Sequence, residues 1–434
     1  MNQLYYIKDL VKFSLPIIAG QIGQMLFGIG DIVIAGRYST EVVSALGIAS
    51  SIVSPFLLVG LGITFALSPL ASKEVGEKIK SPTLLFTSTY ISTLAGFLMA
   101  TLLLLLRTQL DLLGLDTHIQ ELVSSYLLIC APSIVMALIF QASKEYLQAY
   151  DQTYFSNFLI LLFNAINIGL NIVFMFGLYG FPELGIEGAA FATLLTRSLM
   201  AIILWFYTYK KHPGSFRFHS THAKELLLLG LPISVSVLVE VMMFTAITVL
   251  AGTMGVLISA SHNIALHLAS LTFMVPLGLS SACTVRVAQQ LGKKDYVKLH
   301  KYALAGLQTG AGFMCLSAAA YLFYPEVLAR LMSDDKELIT ASAGLLFYVA
   351  IFQISDGIQV VLMGILRGLS ITKRPTILAF IGNWIFGFPL SLYLAYEKEM
   401  LAKGLWLGLA FGLSFMAISL GILYMKVRPQ EASV

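Results

Sequence analysis

Apolar runs of roughly twenty residues, separated by short clusters of Gly, Pro and charge, recur from one end of this chain to the other. An α-helix needs about 20 predominantly apolar residues to cross a hydrocarbon core of about 30 Å, and these runs meet that length. The pattern predicts twelve helices, over 10–34, 42–71, 83–106, 119–142, 154–177, 187–209, 225–250, 259–288, 299–323, 337–366, 375–396 and 401–425. Helices 2, 8 and 10 are long and carry Pro55, Pro276 and Gly357 as interruptions. The first run is too long for the apolar core of a signal peptide and lacks a small-residue cleavage site, so it reads as a retained helix 1. No stretch remains for a soluble domain of useful size.

The second half echoes the first at a nearly constant offset. Leu15-Pro16-Ile17 returns as Leu231-Pro232-Ile233, Ala35-Gly36 as Ala251-Gly252, Gly62 as Gly278, Lys78 as Lys294, and Asn164 as Asn383. Six spans per half is an even number, so both halves enter the membrane in the same sense. Such a parallel repeat turns about an axis along the membrane normal and is expected to hold substrate between its halves. The predicted organisation is an N-lobe over 1–209 (helices 1–6), a basic cytoplasmic linker over 210–224, and a C-lobe over 225–434 (helices 7–12). The linker histidines His212, His219 and His222 read as solvated loop residues.

Composition agrees with a polytopic membrane protein. Of 434 residues 58% are hydrophobic and only 12% charged, against about 25% charged in soluble domains. The net charge of +4 is spread over short loops, which argues against a nucleic-acid partner. Its distribution is informative, because cytoplasmic loops carry the excess of Lys and Arg. Arg37, Arg107, Arg330, Lys336, Lys398 and Lys403 fall in the loops of one side, Arg197 lies within helix 6, and the remainder of the 27 lie on the other side. That side is the cytoplasm, and both termini are expected there. Cys130, Cys283 and Cys315 lie in apolar helices and read as packing residues rather than a disulfide framework.

Three acids interrupt this apolar background. Asp31, Glu240 and Asp356 sit inside membrane segments, whereas every other Asp and Glu can be placed in a loop or at a helix end. A carboxylate at mid-bilayer costs about 2.5–3.5 kcal/mol on insertion scales, so such a residue normally faces a cavity and binds a proton, a cation or a cationic ligand. Asp31 shares a helical stripe with Gln24 and, more loosely, with Gln21; Asn164, Asn167 and Asn171 share one face of helix 5; Thr193 and Thr196 on helix 6 could add hydroxyls. Together these would supply oxygen ligands for a hard cation or neutral partners for a protonatable Asp31. The plainer reading is that the amides bond helices together.

In the second half Glu240 lies mid-helix 7, and Asp356 lies in helix 10 between Gln353 and Gln359. Two such acids could exchange a proton or Na⁺ for a cationic substrate; the plainer reading is an ion pair with Arg197 or Arg367. The repeat breaks here, since Gln24 occupies the position of Glu240 and Ile247 that of Asp31, so the halves are not expected to be equivalent. Met25, Phe27, Met243 and Phe244 offer soft, adaptable lining, although at helical spacing they serve equally as packing. No His/Asp metal cluster or Ser/Lys dyad lies within the helices, so an enzyme is not expected; His262 and His267 are wrongly spaced for one helix face. A channel would need no duplicated halves.

At this point the residues resemble a known family. The stretch Gly30-Asp31-Ile32-Val33-Ile34-Ala35-Gly36-Arg37 with Ala45-Leu46-Gly47 is similar to the helix 1–2 region of the multidrug and toxic compound extrusion (MATE) family. Pro276-Leu277-Gly278 with Val285-Arg286-Val287 resembles its helix 8, and Gln353-Ile354-Ser355-Asp356-Gly357-Ile358-Gln359 its helix 10. Asn167 and Asn171, followed by Pro182-Glu183-Leu184-Gly185, resemble helices 5–6. The resemblance spans essentially the whole chain. It implies an all-α, V-shaped pair of six-helix lobes that exports cationic amphipathic drugs or dyes by alternating access in exchange for Na⁺ or H⁺.

The presence of both Glu240 and Asp356 resembles the NorM-type branch. The implied coupling residues are Asp31, Asn167, Asn171, Thr193, Glu240 and Asp356, with Na⁺ held, if anywhere, at Asp31, Asn167 and Asn171. Gln24, Met25, Met243, Phe352 and Gln353 are candidates for substrate contact. One departure stands out: the aromatic hydroxyl often found one turn before the helix 10 acid is Phe352 here, which removes an oxygen ligand. The further expectations are a monomer in the bacterial inner membrane, in contact with lipid, with no cofactor beyond the coupling ion. Pro16 and Pro232 are the candidate places for bending. A lipid-linked precursor flippase of the same superfamily is the alternative, although it would favour a basic cavity.

Overall fold

A computed structural model of the chain describes residues 2–79, 82–214 and 217–429. Twelve of its helices are long and apolar enough to cross a membrane: α1 (Gln3–Tyr38), α2 (Thr40–Gly76), α3 (Pro82–Arg107), α4 (Thr117–Ala149), α5 (Tyr154–Phe176), α6 (Gly185–Lys211), α7 (Ser220–Thr253), α8 (Val256–Gly292), α9 (Tyr296–Phe323), α10 (Lys336–Gly368), α11 (Lys373–Glu397) and α12 (Ala402–Val427). No strand occurs among the described residues. In lipid every backbone polar group must be satisfied within its own segment, which an α-helix achieves and an irregular chain does not.

Each predicted span has its helix, but many helices run beyond the apolar run. Hydropathy marks the part of a helix that meets hydrocarbon, whereas the hydrogen-bond ladder continues wherever the next residues tolerate it. At the end of α4 this changes the chemistry. Lys144 and Glu145, which the sequence leaves at a helix end, lie inside α4 and are buried, and Gln141 Nε2 donates to Glu145 Oε1 at 2.7 Å. Glu145, placed by the sequence outside the apolar run, is thus a buried acid near the C-terminal end of α4, with a hydrogen-bond donor one turn away.

The expected interruptions are also displaced. α8 is continuous through Pro276 and α10 through Gly357. α2 continues through Pro55 and breaks instead at Phe65 and Ala66, toward its C-terminal end. Gly357 serves packing: a Cβ there would lie 2.3 Å from Met314 Cγ, so its absence lets α9 approach α10. α8 and α10 are pinned by Ser280 Oγ donating to the Val360 carbonyl at 2.7 Å and Thr284 Oγ1 to the Gly364 carbonyl at 2.9 Å. Around Pro389, α11 widens into π-helical turns over Ile381–Gly387 and Tyr393–Glu397, consistent with a proline that lacks an N–H for the α ladder.

Two compact units emerge, and they are not the two halves of the repeat. One comprises Ala19–Ser234; the other comprises Met1–Ile18 with Val235–Val434. The start of α1 thus packs with the second half of the chain. It does so through Tyr6, Leu10, Phe13 and Ile17, an apolar stripe at helical spacing buried in that unit's core. Asp9, on the same segment, accepts from Tyr302 at 2.9 Å and pairs with Arg286 at 3.1 Å. Reciprocally, the start of α7 belongs with the first half, where Ser234 Oγ donates to the Val59 carbonyl at 2.7 Å and His222 lies 3.6 Å from Glu74. The boundaries fall two residues after Pro16 and Pro232.

Of the predicted linker 210–224, the ends belong to α6 and α7, and 215–216 lie outside the described residues. His212 is half-buried, with its ring 4.3 Å from Tyr150 and 5.3 Å from Tyr146, so it packs rather than being solvated.

Candidate functional site

Asp31 lies on α1, in the unit formed by Ala19–Ser234, and is 8% exposed. Two features hold α1 close to α5. A Cβ at Gly20 would overlap the Asn157 side chain, so only glycine allows that approach. Asn164, on α5, donates its amide to the Gly23 carbonyl of α1. The amide of Asn164 is therefore spent on joining helices, the plainer of its two readings.

The next two asparagines on the same face behave differently. Asn171 Nδ2 donates to Asp31 Oδ1 and, at 3.1 Å, to Asn167 Oδ1. Asn167 Nδ2 donates to Thr196 Oγ1 at 3.3 Å, and that hydroxyl donates onward to the Ala192 carbonyl at 2.7 Å. The donors of this chain are thus consumed in order, starting from the carboxylate. What remains over is oxygen: Asn171 Oδ1 and Thr193 Oγ1 are buried with no partner. Buried polar atoms normally find a partner, so a carboxylate beside two orphaned oxygens is a site with spare acceptor capacity. It suits a proton on Asp31 or a small hard cation.

This cluster opens into a cavity of about 360 Å³ within the same unit, of the size that takes a drug-like molecule. Gln24, Asp31 and Thr193 line it. Its walls are mainly apolar, including Phe27, Phe140, Ile160 and Met200. Sequence reasoning missed Tyr126 and Gln141 as lining residues and treated Arg197 only as a possible ion-pair partner. No stripe connects these residues to Asp31 in the sequence, because α4 and α6 reach the cavity only through tertiary packing.

In the other unit Glu240 and Asp356 come together across α7 and α10, as neither helix alone could indicate. Gln359 Nε2 bridges them, donating to Glu240 Oε1 at 3.1 Å and to Asp356 Oδ1 at 3.3 Å. α7 is held there by Trp384 Nε1, which donates to the Val239 carbonyl at 3.0 Å. Asp356 is buried and Glu240 half-buried. One amide shared by two carboxylates leaves them short of donors, so this pair too can hold a proton or a cation.

The remaining substrate candidates are placed in packing. Met243 and Phe352 lie in the core of this unit, with Phe352 edge-on to Trp406 at 5.3 Å. Gln353 is fully buried and donates to Thr272 Oγ1 at 2.6 Å. Their neighbours are core side chains, Met243 from α7 and Phe352 and Gln353 from the inward face of α10. Met25 is half-buried and does not line the cavity around Asp31. Tyr321 OH, from α9, donates to the Leu268 carbonyl at 2.8 Å, lies 3.0 Å from the Thr272 hydroxyl and accepts from Gln353 Nε2 at 3.5 Å.

Comparison with known proteins places this geometry. The MatE family model matches residues 16–173 and 232–393, one match in each half. A Rhizobium meliloti protein described as a probable multidrug resistance protein NorM is 31% identical over 423 residues, covering 94% of this chain and 90% of that protein. The Vibrio cholerae multidrug resistance protein NorM is 30% identical over 432 residues, covering 95% and 94%. Among solved structures, the Vibrio cholerae MATE transporter VcmN in its bent form superposes with a TM-score of 0.86 at 20% identity, covering 98% of this chain and 97% of that one. With the family model spanning most of its length and a relative above 30% identity over nearly all of it, this chain belongs to the MatE family.

Proposed function

We propose that this protein is a secondary active antiporter that exports amphipathic drugs and dyes across a bacterial inner membrane in exchange for Na⁺ or H⁺. The observation that carries the reading is the carboxylate of Asp31 at the edge of a largely apolar, drug-sized cavity, beside the orphaned oxygens of Asn171 and Thr193. A carboxylate so placed can serve two cationic ligands in turn. Arrival of the coupling ion at Asp31 would neutralise it and release a cationic drug held by the same charge. Asn167, Asn171 and Thr193 would hold the ion, while Glu240 and Asp356, sharing Gln359, would form a second acidic station. The bias of Lys and Arg supports a cytoplasmic position for both termini. The protein is read as a monomeric carrier and not an enzyme.

Ethidium efflux from proteoliposomes, with Na⁺ and pH gradients imposed separately, tests the reading. Efflux should follow one gradient and be lost in Asp31→Asn. Efflux absent under both gradients, from folded protein, for ethidium and for a dye that also carries a carboxylate, would sink the multidrug assignment. The flippase would then move ahead, a reading that draws its support from the cationic side chain of Arg197 in the same cavity.

A further inference from the structure

Arg197 is an unexpected lining for a cavity meant to hold cations. It sits on α6 and faces the same space as Asp31, near enough for the two charges to act on one another. Its Nη1 donates to Ser133 Oγ at 2.9 Å, which anchors the guanidinium on α4. No other hydrogen bond and no ion pair engages it among the described residues, so most of its five N–H donors remain available to a ligand. The cavity therefore carries one fixed anion and one fixed cation among largely apolar walls.

Such a site does not treat all cations alike. A molecule bearing only positive charge gains from Asp31 but meets the guanidinium within the same low-dielectric space. A molecule that also carries an acidic group can place its cationic end at Asp31 and its carboxylate on the fork of Arg197, a geometry that suits planar bidentate pairing. We propose that Arg197 makes this cavity selective for amphipathic zwitterions, with a carboxylate at Arg197 and a cationic centre at Asp31. The inference rests on the export reading above and narrows its substrate class. It also separates the protein from a carrier of purely anionic headgroups, since Asp31 would repel these.

A matched pair of dyes tests it. Rhodamine B carries a free carboxylate beside its delocalised cation; its ethyl ester is a cation only. Binding to purified protein by fluorescence polarisation and gradient-driven efflux from proteoliposomes would be measured for both dyes with wild type, Arg197→Gln and Arg197→Lys. Wild type should prefer the acid. Arg197→Gln should weaken acid binding by about tenfold, the worth of one charge-assisted hydrogen bond, and strengthen ester binding, so that the preference inverts. Arg197→Lys should keep the preference in reduced form, because charge persists without the fork. The acid-to-ester ratio is the deciding readout, since a residue that merely braces α6 against α4 would lower both affinities together. An unchanged ratio in Arg197→Gln overturns the proposal. Wild type that exports the ester and not the acid also overturns it while leaving the export reading intact. Export of neither dye overturns both. If Arg197→Gln fails to fold, the wild-type preference and its reduction in Arg197→Lys still decide.

Discussion

Among the described residues Asp31 has a single side-chain donor, the amide of Asn171, and that amide also orders Asn167. Asn171→Ala would leave the carboxylate without that donor and release Asn167 at once. Gradient-driven efflux should fall at least about tenfold, the scale of one hydrogen bond to a charged group. Asn164 lies on the same helix face but spends its amide on the Gly23 carbonyl. Asn164→Ala should therefore cost about 0.6 kcal/mol of stability, the mean for interhelical hydrogen bonds in membranes, with the ion dependence of transport retained. Measuring initial efflux rates against coupling-ion concentration for both variants separates the two roles. Equal loss of ion dependence in both would mean that the asparagine face acts only as helix glue. The contrast also shows what spacing can and cannot say, because three asparagines in one stripe look alike until each donor has been followed to its acceptor.

α1 and α7 are single continuous helices, yet each contributes to both compact units. The change of unit falls just after Pro16 and Pro232. A proline in a helix interior removes a hydrogen bond and crowds the preceding turn, at a cost of about 3 kcal/mol relative to alanine. A cost retained in both halves of the repeat, at the point where each helix changes unit, is explained if the helices must flex there during transport. Pro16→Ala and Pro232→Ala should raise the thermal midpoint of the purified protein and lower its turnover, with drug affinity nearly unchanged. Variants that are stabilised and still transport at the wild-type rate would remove flexing at these prolines from the mechanism.

For the whole molecule, the exchange of helix starts has a consequence for assembly. A chain divided between α6 and α7 yields one fragment carrying residues 1–18 of one unit and another carrying residues 220–234 of the other. Neither fragment contains a complete core. Tyr6, Leu10 and Ile17 would lack the partners that bury them in the second half, and the α7 segment would lack those of the first. The two fragments, co-expressed, should assemble into an active transporter, whereas each alone should aggregate or be degraded. Co-purification and ethidium efflux measure this. A stable, monodisperse single fragment would show that each half of the repeat folds independently.

The linear pattern of the chain determined the number and placement of the twelve spans, because crossing hydrocarbon demands a length and an apolarity that are local properties of a segment. It also determined the repeat and the three acids Asp31, Glu240 and Asp356, since a carboxylate in such a run is costly wherever the helix is packed. Helix ends were less legible, as Glu145 and Lys144 inside α4 show, because backbone hydrogen bonding outruns the apolar stretch. Only the tertiary structure decided which atoms meet. It joined Glu240 to Asp356 through Gln359, brought Arg197 and Gln141 to the cavity of Asp31, and turned Met243 and Phe352 into core. It also gave the beginnings of α1 and α7 to opposite halves. A helix presents every side chain at a known angle about its own axis, but which neighbour fills that direction depends on rotation and depth in the bundle, and these are set by packing among residues far apart in the chain.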